Sequence, residues 1–99
     1  MFNKTKPALI TGGCGFVGRN MTRRLLREGY SLWIVDDLSI GLHPDDWLPG
    51  KEDRRPVTEG IVEYDDGKVV FVHADARDFF SSRVDLGDVK EPPFGDVFH

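Results

Sequence analysis

The sequence predicts an α/β fold built on a parallel sheet, and three observations carry that prediction. The apolar run Ala8-Leu9-Ile10 ends at Thr11 and leads into seven residues of which four are glycine, Gly12, Gly13, Gly15 and Gly18. A run of helix formers continues to Glu28. A second β-prone run, Ser31-Leu32-Trp33-Ile34-Val35, then closes on Asp36 and Asp37. Strand, glycine turn, helix, strand and acid follow in the order of a βαβ unit that holds a dinucleotide, with phosphates at the helix N-terminus and ribose hydroxyls on the acid. The fold class is therefore the N-terminal part of a Rossmann-type doubly wound parallel sheet, with a β-hairpin inserted before the third strand.

Taken in order, Lys6-Pro7 delivers the chain into the first strand. The glycine run reads as Gly-x-Gly-x-x-Gly from Gly13 and as Thr-Gly-x-x-Gly-x-x-Gly from Thr11. Glycine suits a tight turn that must approach an anion without a Cβ in the way. The helix is predicted from about Gly15 to Glu28, with Val17, Met21 and Leu25 spaced by four, Leu26 beside them, and Gly29 as the stop. Gly18 is expected to let this helix pack closely on the strand. From Asp37 to Gly60 the pattern breaks, and residues 42–60 are expected to be a mobile loop in which only Asp45 to Leu48 has the makings of a helical turn.

Ile61 to Tyr64 and Lys68 to Val72 flank Asp65-Asp66-Gly67, which predicts a hairpin with a tight Asp-Gly turn. A short helix is predicted over 77–82, followed by a connector through Pro92-Pro93. Asp96-Val97-Phe98 opens a further strand, expected to pair beside the first.

Composition narrows the function classes. The chain has 99 residues, 39% hydrophobic and 30% charged, the balance of one small soluble domain. A net charge of −4 argues against nucleic acid or an anionic membrane as partner. Arg19, Arg23, Arg24 and Arg27 are read as a solvated helix face whose cations suit the C-terminal end of the helix dipole. No apolar run approaches the ~18 residues of a membrane span. One cysteine, Cys14, cannot form an intrachain disulfide, and Lys4, Lys6 and Pro7 interrupt any leader, so a reducing cytoplasmic setting is expected. Cys14 lies between two glycines and is read as a residue that tolerates the turn. His43, His73 and His99 are scattered, and no metal site is assigned.

Four blocks, Thr11 to Gly18, Val35 to Gly41, Ala74 to Asp78 and Asp96 to His99, resemble in their order the N-terminal part of an extended short-chain dehydrogenase/reductase of the NAD-dependent epimerase/dehydratase group that acts on nucleotide sugars. The resemblance covers nearly all of this chain and about the first third of a family member. It implies a cofactor site made by Gly12, Gly15, Phe16, Val17, Gly18, Asp36, Asp37, Ser39, Asp75 and Ala76. In that site the Phe16 and Val17 amides meet the pyrophosphate and Asp36 takes the adenosine ribose. Asp37 and Ser39 line the same edge, Asp75 accepts from the adenine amino group, and the Ala76 backbone faces the ring. A carboxylate at Asp36 repels the 2′-phosphate of NADP, so NAD is the expected cofactor, with Arg19 the residue able to soften that preference.

The implied activity is epimerisation or dehydration of a nucleotide sugar by transient hydride transfer to bound NAD, in a homodimer when full length. The alternative is an NAD(P)-binding sensor module without chemistry. The family's Tyr-x-x-x-Lys pair belongs to a helix, whereas Tyr64-Asp65-Asp66-Gly67-Lys68 has that spacing in a predicted turn, so no catalytic residue is assigned here. Residues 1–99 are accordingly expected to be a partial NAD(P)-binding domain, a truncated or proteolysed piece of a longer protein or one that associates through its exposed sheet edge.

Overall fold

A computed structural model describes residues 5–99; Lys4, named above, lies outside them. Eight elements follow: β1 (Ala8–Thr11), α1 (Phe16–Arg27), β2 (Leu32–Asp36), β3 (Arg54–Thr58), β4 (Ile61–Tyr64), β5 (Val69–His73), α2 (Ala76–Phe80) and β6 (Val97–Phe98), with one 3-10 turn at Pro44–Asp46. They form a six-stranded sheet in the order β3-β4-β5-β2-β1-β6. β5, β2, β1 and β6 run parallel, with Ile10 opposite Ile34 and Ile34 opposite Phe71. This is the mixed, mostly parallel sheet of a Rossmann-type fold, and β6 pairs beside β1 as the sequence predicts.

Strands buried on both faces read as continuous apolar runs, and β1, β2 and β5 do. Alternation then sends neighbours to opposite sides. Leu9, Trp33, Val35, Val70 and Val72 pack with Phe79 of α2, and the connector closes over them through Val84, Leu86, Val89 and Phe94. On the other face Ala8, Ile10 and Leu32 pack with Leu25, Tyr30 and Met21, while Ile34, Val69 and Phe71 pack with Cys14, Leu48 and Tyr64. Helix α1 starts where Gly15, in extended conformation, hands over to Phe16. It stops where Gly29 takes φ +93°, the left-handed C′ position that favours glycine.

Two expectations are corrected. Residues 42–60 are not loop throughout, because Arg54–Thr58 form the edge strand β3, antiparallel to β4 with an irregularity between Pro56 and Thr58. Its pattern Arg-Arg-Pro-Val-Thr hides the strand: one face is solvent, and a proline sits where β-propensity rules argue against a strand but an edge tolerates it. Val17, read as part of the buried helix stripe, is 72% exposed, since it stands in the first turn of α1 beyond the reach of the sheet. The predicted hairpin is present as β4 and β5. Its turn is longer than the tight Asp-Gly turn expected: Tyr64 pairs with Val69, so residues 65–68 make the loop, with Asp65, Asp66 and Gly67 all at positive φ.

Candidate functional site

The carboxyl edge of the parallel strands carries the site. Here β1 separates β2 and β6, which lie on opposite sides of it, and a ligand crevice forms at such a switch in strand order. Thr11 ends β1, and Gly12 turns the chain at φ +71° with its N–H donating to the Val35 carbonyl at 2.8 Å. The helix then begins with no side-chain cap and no acidic residue in its first turn. The N–H groups of Phe16 and Val17 have no acceptor among the described residues, so the positive end of α1 faces outward with these among its free donors. Gly18 holds this geometry: a Cβ there would stand 2.4 Å from the Gly12 carbonyl oxygen and 2.6 Å from the Gly13 Cα. Its close approach is to the turn's own backbone, a sharper requirement than the strand packing the sequence predicts.

Two clefts open on either side of Gly12. The first, about 230 Å³, is lined by Gly12, Val35, Asp36, Asp37, Ala74, Asp75 and Ala76. The second, about 270 Å³, is lined by Ile10, Thr11, Val17, Gly18, Met21, Phe98 and His99, again with Gly12. The structure thus brings Gly12, Asp36, Asp37, Asp75 and Ala76 to one wall, and Val17 and Gly18 to the other. Gly15 and Phe16 lie on the turn between. Ser39 stands outside both linings, exposed on the loop after β2, where its N–H donates to Asp37 Oδ1 at 2.9 Å.

Asp36 is the most buried carboxylate of the group. Its Oδ2 accepts from the Cys14 N–H at 2.9 Å and its Oδ1 from the Leu38 N–H at 2.8 Å. Each carboxylate oxygen keeps a further lone pair for an incoming hydroxyl. Backbone donation from Ser39 holds the Asp37 carboxyl below its usual range. Asp75 caps α2, accepting from the Arg77 N–H at 2.8 Å, and the Arg77 side chain pairs with both its oxygens. That pairing holds Asp75 below the usual carboxylate range as well.

Several residues of the site were not legible as such. Cys14, read as a filler of the turn, is a buried hub: its carbonyl accepts from the Leu42 N–H at 3.0 Å and from Arg19 Nη1 at 2.8 Å. Burial, and after it the Asp36 carboxylate, push its thiol up to about 12, which makes it inert. A Cβ at Gly41 would stand 2.5 Å from the Cys14 carbonyl carbon, so Gly41 is what lets the loop after β2 lie against the turn. His99 shares a 2.8 Å hydrogen bond with Thr11 Oγ1 in the second cleft. Thr11, Cys14, Gly41 and His99 left a trace in the sequence only as members of the blocks already noted. Tyr64 and Lys68 sit at either end of the hairpin turn, and the Tyr64 hydroxyl donates to Asp45 Oδ1 at 2.8 Å. Burial raises its pKa strongly, which suits a structural tyrosine. Among the described residues no group of three His, Cys, Asp or Glu is placed to hold a metal ion, and no helix is long and apolar enough to cross a membrane.

Comparison with known proteins gives this geometry a family. The profile of the NAD dependent epimerase/dehydratase family matches residues 8–78, which is more than half of the chain. The chain belongs to this family. Its epimerase/dehydratase relatives include UDP-glucuronic acid decarboxylase 1 of Danio rerio, 35% identical over 60 residues that make up 59% of this chain and 14% of that protein. UDP-arabinose 4-epimerase 1 of Arabidopsis thaliana is 42% identical over 45 residues, 41% of this chain and 11% of that protein. L-2,3-butanediol dehydrogenase of Corynebacterium glutamicum is 30% identical over 83 residues, 82% of this chain and 28% of that protein. The chain therefore spans well under a third of each of these relatives. Proteins named for three different reactions share this region, so its likeness to them does not select a reaction.

Proposed function

We propose that this chain is the NAD-binding part of an enzyme that epimerises, dehydrates or decarboxylates a nucleotide sugar. The observation that carries the reading is the pair of outward, acceptor-free amides at Phe16 and Val17, set between an acidic cleft and an apolar one within a family described as NAD-dependent. In this reading the diphosphate of the cofactor rests on those amides, where backbone donors and the helix dipole favour an anion. Asp36 receives the adenosine ribose hydroxyls, with Asp37 and Ser39 along the same edge, and Asp75 and the Ala76 backbone meet the adenine. When bound, the nicotinamide supplies the capacity to accept and return a hydride. The residues present supply position and field. Asp36, already holding the turn through Cys14 and the loop through Leu38, offers no cation to a 2′-phosphate, which favours NAD over NADP.

A binding-only role in a sensor module is the second reading, and it shares the same cofactor site. Calorimetric titration of the chain with NAD and NADP tests the shared part. Saturable heat with NAD, weaker at least tenfold with NADP, is expected, and no heat with either removes both readings. Turnover of UDP-sugars by the full-length gene product separates the enzyme from the sensor. The reading also places residues 1–99 as a partial domain of a homodimeric protein.

A further inference from the structure

At the amino edge of the sheet, away from the glycine turn, a third cleft of about 240 Å³ lies between the end of α1, the loop at Pro49 and Gly50, and the start of β5. Arg23, Arg27 and Lys68 line it over an apolar floor that includes Leu26 and Val69, with Asp65 on the rim. Three cations therefore face one carboxylate. Elsewhere Arg24, Arg54, Arg55 and Arg77 each pair with a carboxylate, while among the described residues Arg19, Lys51, Arg83 and Lys90 stand apart from one another without one. Among the described residues Arg23, Arg27 and Lys68 pair with none. The dipole of α1 accounts for a cation at Arg27, but Lys68 comes from the hairpin turn before β5 and lines the same cleft without that reason. Three like charges around a single carboxylate repel one another, and a shared anion relieves this.

We propose that this cleft is a second ligand site, for a small polyanion with two or more phosphate or carboxylate groups, independent of the dinucleotide site. The arginines give forked donors that match such oxygens, the lysine a point charge between them, and the Leu26 and Val69 floor excludes water on one side. Arg23 also lies over the Trp47 ring, 5.6 Å from its centroid. Trp47 Nε1 in turn donates to the Leu42 carbonyl at 2.9 Å, on the loop that clasps Cys14. An anion that draws Arg23 toward the cleft therefore alters the surroundings of Trp47, which gives the site an optical signal.

The test is a pair of titrations of the isotope-labelled chain, with inorganic pyrophosphate and with citrate, followed by amide chemical shifts. Pyrophosphate also suits the glycine turn, so shifts at Arg23, Arg27, Gly50 and Lys68 are read apart from those at Gly12, Gly15 and Gly18. Saturable shifts at the first set, weakened roughly tenfold or more in the R27Q/K68Q double variant while the turn's response is unchanged, are expected. Retained shift dispersion shows that the variant is folded, as replacement of two solvent-facing side chains should allow. Saturation by pyrophosphate alone assigns the site to phosphates, and saturation by both to polyanions at large. No saturation of the cleft residues by about 10 mM of either probe overturns the proposal, as does a double variant that binds like the parent.

Discussion

The two clefts that meet at Gly12 differ in kind. On the side of β2 and β5 three carboxylates, Asp36, Asp37 and Asp75, gather at the strand ends. On the side of β6 the wall is Ile10, Val17, Met21 and Phe98, relieved by Thr11 and His99. One glycine turn serves both, so a ligand that spans it meets acid at one end and hydrocarbon at the other. In the proposed reading, the difference teaches that the walls orient the cofactor and the turn anchors it. A sugar with adjacent hydroxyls suits the acids, and a flat ring with little charge suits the apolar wall.

The largest effect should come from a change that breaks both sides together. Gly18→Ala drives a Cβ into the Gly12 carbonyl and the Gly13 backbone, and neither is a flexible side chain that can step aside. Overpacking of this sort costs about 1–3 kcal/mol. Opening the turn should also abolish NAD binding measured by calorimetry, with AMP and nicotinamide mononucleotide both lost. Survival of either half-ligand's affinity would show that the turn is not shared.

Asp36→Asn breaks the acidic side alone. It removes a charge that accepts from two backbone amides, and hydrogen bonds to charged groups contribute about 1.5–3 kcal/mol. AMP and NAD affinity should fall by about tenfold or more, the margin between NAD and NADP should narrow, and nicotinamide mononucleotide should be unaffected.

A smaller effect is expected from Asp75→Ala, which uncaps α2 and frees Arg77. AMP affinity should drop roughly threefold to tenfold, and the first turn of α2 should exchange its amides faster. The pH dependence follows from the same pairing. Because the folded carboxyls of Asp75 and Asp37 lie below their unfolded values, their contribution is complete above the unfolded value of about 4 and disappears as pH falls through the folded values. Thermal midpoints from pH 7 to about 5 should therefore carry no step from these two groups, with a loss below pH 4 that is reduced in Asp75→Ala.

The smallest change tests the apolar side. Val17→Ser alters a side chain that is 72% exposed, so stability should hold. NAD affinity should fall about twofold to fivefold, the scale of partial apolar burial, with AMP unchanged. An equal loss for AMP would contradict the assignment of the two walls.

The parts of this architecture that could be read from the chain are those whose cause is local. Ala8-Leu9-Ile10 and Val69 to Val72 are apolar because both faces of a parallel strand are covered, and Gly12 and Gly18 mark a turn that no other residue makes cheaply. Edge strand β3 escaped notice because Arg54, Arg55 and Pro56 carry no alternation, and its existence depends on β4 being there to pair with it. The hub at Cys14 was hidden for the same reason. Its N–H donates to Asp36 and its carbonyl accepts from Leu42 and Arg19, and the residue type at position 14 says nothing of the bonds its peptide groups make. At the site, spacing identified the carboxylate at Asp36, but its two amide donors required the fold. The second wall had almost no signature, since Met21 and Phe98 come from a helix and a distant strand.

The closure of the chain around Cys14 gives the protein an internal clock. A thiol whose pKa is pushed up to about 12 and which is fully buried among Ile34, Leu48 and Phe71 can be alkylated only in the intervals when the packing around it, the loop carrying Gly41 and Leu42 included, opens. The labelling rate of the one cysteine thus counts those openings, with no probe added to the molecule. A nucleotide that braces the loop should slow the count, and one that leaves it alone should not.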